Sequence, residues 1–392
     1  MRHAQASISN RWTILLVLFI ARTMVAVQFQ TVGSAAPFLM KAFGIDFAGL
    51  GTLIGLFMLP GIFLALPGGM LGQRFGAERM TLVGLALMVA GGVLTALSAS
   101  VAWFAMGRLI SGAGAALLNV LLTKMVADWF AGREIVTAMA VLVASWPLGL
   151  ALGLLLFTPL AAAQSWHAVM FAAALMAAAS LALIAALYRE PAGLAAGKRR
   201  ASLRPGFDRR EWLAVSLAGV VWAAYNVGLI VLISFVPALL TARGYSLVQA
   251  GLIASVLGWT LIPCAPLAGY LAQRLRKPDW FMIGGFAIAG TAAAAMPFAG
   301  APLVPFAVLA LAIGAPAGAI MALPAAALRA ENWASGLGIY FTWYYLGMAV
   351  LPGAAGMARD ITMSVAAPAL FAAAMMAVAL GGLLGFRVVC RH

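Results

Sequence analysis

Acidic side chains are scarce and peripheral in this sequence. Only ten Asp and Glu occur among 392 residues, and all of them fall between apolar segments or at their ends. A carrier of lipophilic cations, which needs a carboxylate inside its cavity, finds none at depth. Cysteine and histidine are sparser still. Cys264 lies within an apolar run and Cys390 at the chain end, so neither a disulfide nor a thiolate metal cluster is expected. His3, His167 and His392 sit at the termini or a helix edge and offer no buried relay. There is no glycine-rich phosphate loop, no GxSxG elbow and no carboxylate pair on one helix face. A membrane-embedded lipid-modifying enzyme would need a His, Asp, Glu or Cys constellation that these residues cannot assemble. No cofactor is implied.

Charge of either sign is also rare, at 9% of residues, whereas 65% are hydrophobic and the mean hydropathy is +1.06. A soluble domain carries about 25% charge, so the chain reads as a polytopic membrane protein. About twelve apolar stretches are each long enough to cross about 30 Å of hydrocarbon as a helix. They fall near 12–40, 47–72, 80–99, 102–128, 134–161, 166–188, 212–241, 249–273, 279–299, 302–328, 333–357 and 364–388. The first is too long for a cleaved signal peptide and carries Arg22, so it is expected to remain as helix 1.

The 24 Lys and Arg give a net charge of +14. With a cytoplasmic N-terminus, 18 of them fall on the cytoplasmic side and only Lys41, Arg243 and Arg359 on the other. That division is the positive-inside pattern, so the basic balance reports topology in a bacterial inner membrane, with both termini cytoplasmic. Nucleic acid is not an expected partner. Membrane lipids are, through anionic headgroups near the basic loops.

One long polar interruption, residues 189–211, divides the stretches six and six. Around it the chain repeats itself with an offset of 200 residues: Gly51 with Gly251, Gly69 with Gly269, Leu71 with Leu271, Gln73 with Gln273 and Arg74 with Arg274. Such register implies two six-helix bundles, 1–188 and 212–392, related by an axis along the membrane normal.

These strings resemble the major facilitator superfamily. Its signature between helices 2 and 3 reads here Gly69-Met70-Leu71-Gly72-Gln73-Arg74-Phe75-Gly76-Ala77-Glu78-Arg79, and Arg108-Leu109-Ile110-Ser111-Gly112-Ala113-Gly114 on helix 4 is similar to a second family motif. Trp146-Pro147-Leu148-Gly149 followed by Gly153 is a looser likeness on helix 5. The resemblance implies alternating access by two rocking bundles around a central site, in a unit functional as a monomer. The opening of helix 1 and the glycine-rich, acid-poor helices look most like the cyanate and nitroimidazole carriers, with organic-anion and nitrate carriers next. Gly69, Gln73, Arg74, Asp128, Arg133, Gln273 and Arg274 are the expected gating residues at the cytoplasmic ends. Gln73 and Gln273 stand where the family usually has Asp, which removes a negative charge expected at a neighbouring helix N-terminus.

Three cations lie inside apolar segments: Arg22, Arg108 and Lys124. Arg22 lies about 15 Å into helix 1, too deep to snorkel, on a stripe with Ala26, Phe29 and Gln30. Its planar fork suits an oxyanion, the alternative being bonds to helix carbonyls. Arg108 shares a face with Gly112, Ala115 and Asn119; the resemblance links it to coupling, and carbonyl bonding is again the alternative. Lys124 precedes Asp128 by four residues, the spacing of a helical ion pair. Neutral lining is expected from Ser145, Trp146, Trp222, Tyr225, Asn226, Trp259, Thr260, Tyr340, Thr342, Trp343, Tyr344 and Tyr345, which lie too deep for interfacial belt residues. The substrate-binding set is then Arg22, Gln30, Arg108, Asn119, Trp146, Tyr225, Asn226, Trp259, Tyr340, Trp343 and Tyr344. The function expected is secondary transport of a small organic or inorganic anion. A proton-coupled exporter of drugs is the runner-up. With no carboxylate at depth, the expected coupling is anion exchange, facilitated diffusion, or a proton held by the substrate or at Asp128 or Glu134.

Overall fold

The computed structural model describes residues 2–130, 134–189, 208–329 and 332–391. Residues 190–207, most of the expected linker, and Arg133 of the expected gate lie outside this set, as does the side chain of Gln73.

Fifteen helices are present, and no strand among the described residues. They are α1 (Arg2–Ser34), α2 (Ala36–Phe43), α3 (Phe47–Leu56), α4 (Leu59–Phe75), α5 (Ala77–Ala96), α6 (Val101–Trp129), α7 (Ile135–Ala163), α8 (Trp166–Leu187), α9 (Arg209–Ala242), α10 (Leu247–Arg274), α11 (Pro278–Ala295), α12 (Leu303–Ala312), α13 (Ala317–Ala327), α14 (Trp333–Thr362) and α15 (Ala367–Arg391). Three pairs form single interrupted spans: α1 with α2, α3 with α4, and α12 with α13. The interruptions lie where a proline opens the second helix, at Pro37, Pro60 and Pro316, because its ring cannot accept the preceding helical turn. The result is twelve transmembrane spans in two six-helix bundles, α1 to α8 and α9 to α15. Ten spans meet the length and hydropathy of a membrane crossing, and α11 and α14 complete the set.

Successive spans run in opposite directions, so the loops collect at two ends. At the end away from the termini the turns are short, and four of the six are capped by a side chain. Asp46, Ser100, Ser165 and Ser246 each accept a hydrogen bond from a backbone amide in the first turn of the following helix. The first turn of each bundle is the same: Gly44 and Gly244 both adopt positive φ, +63° and +92°, two residues before the caps Asp46 and Ser246. Only glycine enters that region freely, which extends the 200-residue repeat to the loops. The end bearing the termini is charged instead. There Arg11 pairs with Glu134 at 2.7 Å, Arg329 with Asp208 at 2.5 Å, and Arg387 with Asp279.

The bundles meet along two seams, α3 with α14 and α7 with α10. Helices in a bilayer associate through close packing rather than a hydrophobic drive, so small residues set the approach. A Cβ on Gly55 would lie 2.0 Å from Ala349 O, and one on Gly258 would lie 2.7 Å from Pro147 O. The repeated pair Gly51 and Gly251 sits one on each seam, against Pro352 and Thr158. Both seams occupy the loop-capped end. Toward the termini the pattern changes: Gly68 and Gly72 pack on Leu117 and Leu121 of their own bundle, and Gly269 faces open space. The bundles are closed at one end and parted at the other.

Candidate functional site

Arg22 stands midway along the apolar part of α1, which runs from Arg11 to Ser34. Its Nε is buried without a hydrogen-bond partner, and the guanidinium forms no ion pair with a described residue. The groups that reach it electrostatically are Tyr345 and Tyr344, from α14 of the opposite bundle. Asn119 of α6 donates to Tyr345 Oη at 3.5 Å, so Arg22, Asn119, Tyr344 and Tyr345 converge where the bundles meet. The close approach has a local cause: a Cβ on Gly61 of α4 would meet the Tyr345 ring at 2.2 Å.

Behind the tyrosines lies an aromatic wall. Trp222 stacks with Tyr225 at 5.7 Å and with Tyr340 at 6.4 Å, and tilts against Tyr344 at 6.1 Å. Its indole Nε1 is buried with no partner. Tyr225 donates to Ile313 O at 2.9 Å and so anchors the interruption between α12 and α13. Asn226 donates to Trp222 O within its own helix, and Tyr340 reaches Met321 Sδ at 3.7 Å. Trp343 packs on Gly219. Trp259 is exposed and Trp146 tilts against Phe29, so neither belongs to the group around Arg22.

Arg108 is placed differently from Arg22. At 2% exposure, it donates through Nε to Leu53 O at 3.1 Å, through Nη1 to Gln28 O at 3.1 Å and through Nη2 to Phe29 O at 3.3 Å, and it lies 4.5 Å from the Phe57 ring centroid. The guanidinium thus ties α6 to α1 and α3. Gln28 adds to the same knot, donating to Met88 O at 2.9 Å and Ser111 Oγ at 3.2 Å. Between these two arginines, it is Arg22 that keeps donors free for a solute.

The stripe of Arg22, Ala26 and Gln30 is divided between two neighbours. Ala26 and Gln30 face Gly149 and Gly153 of α7, whereas Arg22 lies within electrostatic reach of Tyr344 and Tyr345 on α14. Both amide atoms of Gln30 are buried without a partner. At the end bearing the termini, Lys124 pairs with Asp128 at 2.5 Å. Asp128 and Glu134 are therefore both in ion pairs. Arg74 lies against the Phe75 ring, Gly69 approaches Val120, and Gln273 and Arg274 are exposed. The expected gating residues that are described belong to the parted end.

Three residues outside the expected site set stand out. Tyr345 carries the contact to Asn119. Asp360, at the end of α14, accepts from Phe47 N at 3.1 Å and Ala48 N at 2.6 Å, closing the α3/α14 seam across the bundles. Beside it Arg359 lies over the Phe47 ring, 4.0 Å from its centroid. An Arg-Asp pair at the end of an apolar run is visible in the sequence, but its partners are not.

The profile of the Major Facilitator Superfamily matches residues 18–352. A segment of 94 residues is 34% identical to a probable nitrate transporter, NarT, of Staphylococcus haemolyticus (strain JCSC1435); it covers 24% of this chain and 24% of that protein. Over 282 residues the chain is 27% identical to a 3-(3-hydroxy-phenyl)propionate transporter of Escherichia coli (strain K12), covering 69% of this chain and 68% of that one. Among solved structures, a D-xylose-proton symporter superposes with a TM-score of 0.76 at 17% identity, over 96% of this chain and 97% of that chain. A bacterial homolog of the human lysosomal transporter Spinster, inward-facing and occupied, gives 0.73 at 18%, over 97% of both.

Proposed function

Because the chain belongs to the Major Facilitator Superfamily, a family of transporters, we infer that it carries a small organic or inorganic anion by alternating access, with Arg22 as the principal counter-charge. The observation that carries this reading is the Arg22 guanidinium, at mid-membrane and at the bundle boundary, with its Nε buried without a partner and no ion pair to a described residue. A cation held in hydrocarbon costs at least about 2.5 kcal/mol, and an anionic solute offsets that cost while it is bound. Tyr344, Tyr345 and Asn119 supply further polar contacts, and the wall around Trp222 accepts an apolar body. The relative named for hydroxyphenylpropionate, aligned over two thirds of both chains, favours a carboxylate among the anions to be tried.

The charge distribution supports cytoplasmic termini in a bacterial inner membrane. On that topology the closed seams face outward and the bundles part toward the cytoplasm, so the structure is the inward-open form of a monomeric carrier.

Counterflow in proteoliposomes tests the reading, with benzoate, 3-phenylpropionate, cyanate, nitrate and a cationic dye as solutes. Wild type is expected to exchange at least one of the anions and not the dye, and Arg22→Gln is expected to lose that exchange. Dye transport that persists in Arg22→Gln, with no anion carried by wild type, would reject it.

A further inference from the structure

A cavity of about 490 Å³ lies at the closed end, away from Arg22. Both bundles build it. Ser34 and Phe47 come from the first, Ser234 and Pro237 from the second, and Thr158 on α7 and Arg359 on α14 lie beside the two seams.

Arg359 is the one charged residue among the described lining. Its neighbour Asp360 accepts from Phe47 N and Ala48 N, forms no salt bridge with it among the described residues, and offsets its charge only at a distance. Asp46, the other acid of this end, accepts from Gly49 N at 2.8 Å as the cap of α3. Arg359 Nε is buried without a partner. Two further polar groups are unsatisfied at or behind its wall. Thr158 Oγ1 is buried without a partner, its residue only 2% exposed. The orphaned amide of Gln30 abuts Gly33, which lines the cavity. A buried donor left unmade costs about 1–3 kcal/mol, so a cation and a hydroxyl lining one cavity, with an amide behind Gly33, fit an oxyanion that accepts from them. The remaining wall is apolar, with Met40, Leu50, Pro237 and Leu247. A volume of this size exceeds what a bare inorganic anion fills and lies in the range of small-molecule sites.

We propose that this cavity is a second, outer binding site for an organic monocarboxylate, its carboxylate on Arg359 and Thr158 and its apolar body along the α2, α3 and α9 wall. The central Arg22 site is parted toward the other side of the membrane, so the two sites bind independently in this conformation. The proposal rests on the transport reading only for the identity of the physiological ligand. Binding itself is measured separately.

The test is equilibrium binding of radiolabelled 3-phenylpropionate, with nitrate in parallel, to the purified full chain in lipid nanodiscs. Wild type is expected to hold two phenylpropionates per chain. Arg359→Gln should lose one, Arg359→Lys should keep both with the outer one weakened, and Thr158→Val should weaken the outer one. Arg22→Gln should keep the Arg359-dependent molecule. Circular dichroism and thermal melting confirm that each variant is folded. Wild-type binding in both Arg359→Gln and Thr158→Val, or no Arg359-dependent binding up to millimolar concentration, overturns the outer site. Arg359-dependent binding of nitrate without phenylpropionate overturns its assignment to organic carboxylates. Loss only in Arg359→Gln, with Arg22→Gln identical to wild type, leaves the outer site standing and removes the central one.

Discussion

Asp360 accepts a hydrogen bond from Ala48 N at 2.6 Å, joining the last turn of α14 to the first turn of α3 across the two bundles. Its other oxygen takes Phe47 N, so one carboxylate satisfies two of the amides that a helix N-terminus leaves unpaired. The positive end of the α3 dipole adds to the attraction. At the opposite end of the molecule the chain places Gln73 and Gln273, neutral amides, where the family it resembles usually has Asp. Among the described residues, Asp360 is the carboxylate that bridges the two bundles.

Asp360→Asn is expected to shift the population toward opening of the α3/α14 seam. A charge at a helix N-terminus is worth about 1 kcal/mol, or about a fivefold change in the ratio of the two states. Distance distributions between spin labels on the far ends of α3 and α14 read that ratio directly. An unchanged distribution would mean that the glycine contacts alone hold the seam.

The two membrane arginines should give opposite phenotypes. Arg108 spends three donors on carbonyls, and a hydrogen bond from a charged group contributes about 1.5–3 kcal/mol, so Arg108→Ala should lower the melting temperature in detergent clearly. Arg22→Gln should melt as wild type does while abolishing counterflow. Arg22→Lys should restore part of the transport, since charge returns without the planar fork. If Arg22→Gln destabilises as much as Arg108→Ala, both arginines are structural.

Gly55→Val is expected to block closure at the loop-capped end. A Cβ there would sit 2.0 Å from Ala349 O, a backbone atom that cannot turn aside. Each bundle should still fold, because the clash lies between them. Cysteine labelling from the outside should increase around the outer cavity, and transport should stop. Wild-type transport in this variant would show that the seam need not close.

Reporter fusions at residue 200 and after residue 392 are expected to give cytoplasmic signals at both sites. A periplasmic signal at either would invert the structure's orientation and make the closed seams face the cytoplasm.

The spans, their order and the two-bundle repeat were legible because each rests on local signals. Hydropathy over about twenty residues marks a crossing, and the recurrence of Gly51 at Gly251 marks the duplication. The interruptions at Ala35, at Phe57 and Met58 and at residues 313–316 were not legible, since apolar runs continue through them and prolines elsewhere, such as Pro67 and Pro147, stay inside helices. Helical periodicity put Arg22 and Gln30 on one face but could not say that α7 would cover one and α14 approach the other. Nor could it separate Arg108 from Arg22: both read as lone cations in apolar segments, and carbonyl acceptors leave no trace in side-chain pattern. The contacts of Tyr345 with Asn119 and of Asp360 with Ala48 join residues hundreds of positions apart, and only the packing of two complete bundles brings them together.

The seam between α3 and α14 is backbone against backbone where Gly51 and Gly55 face Pro352 and Ala349. Interdigitated side chains must change rotamer to separate, one after another, and each step resists. Smooth faces have no such sequence of steps. They part once solvent takes over the amides that Asp360 held. Separating this seam then has to break the polar contacts at its rim rather than turn side chains out of one another.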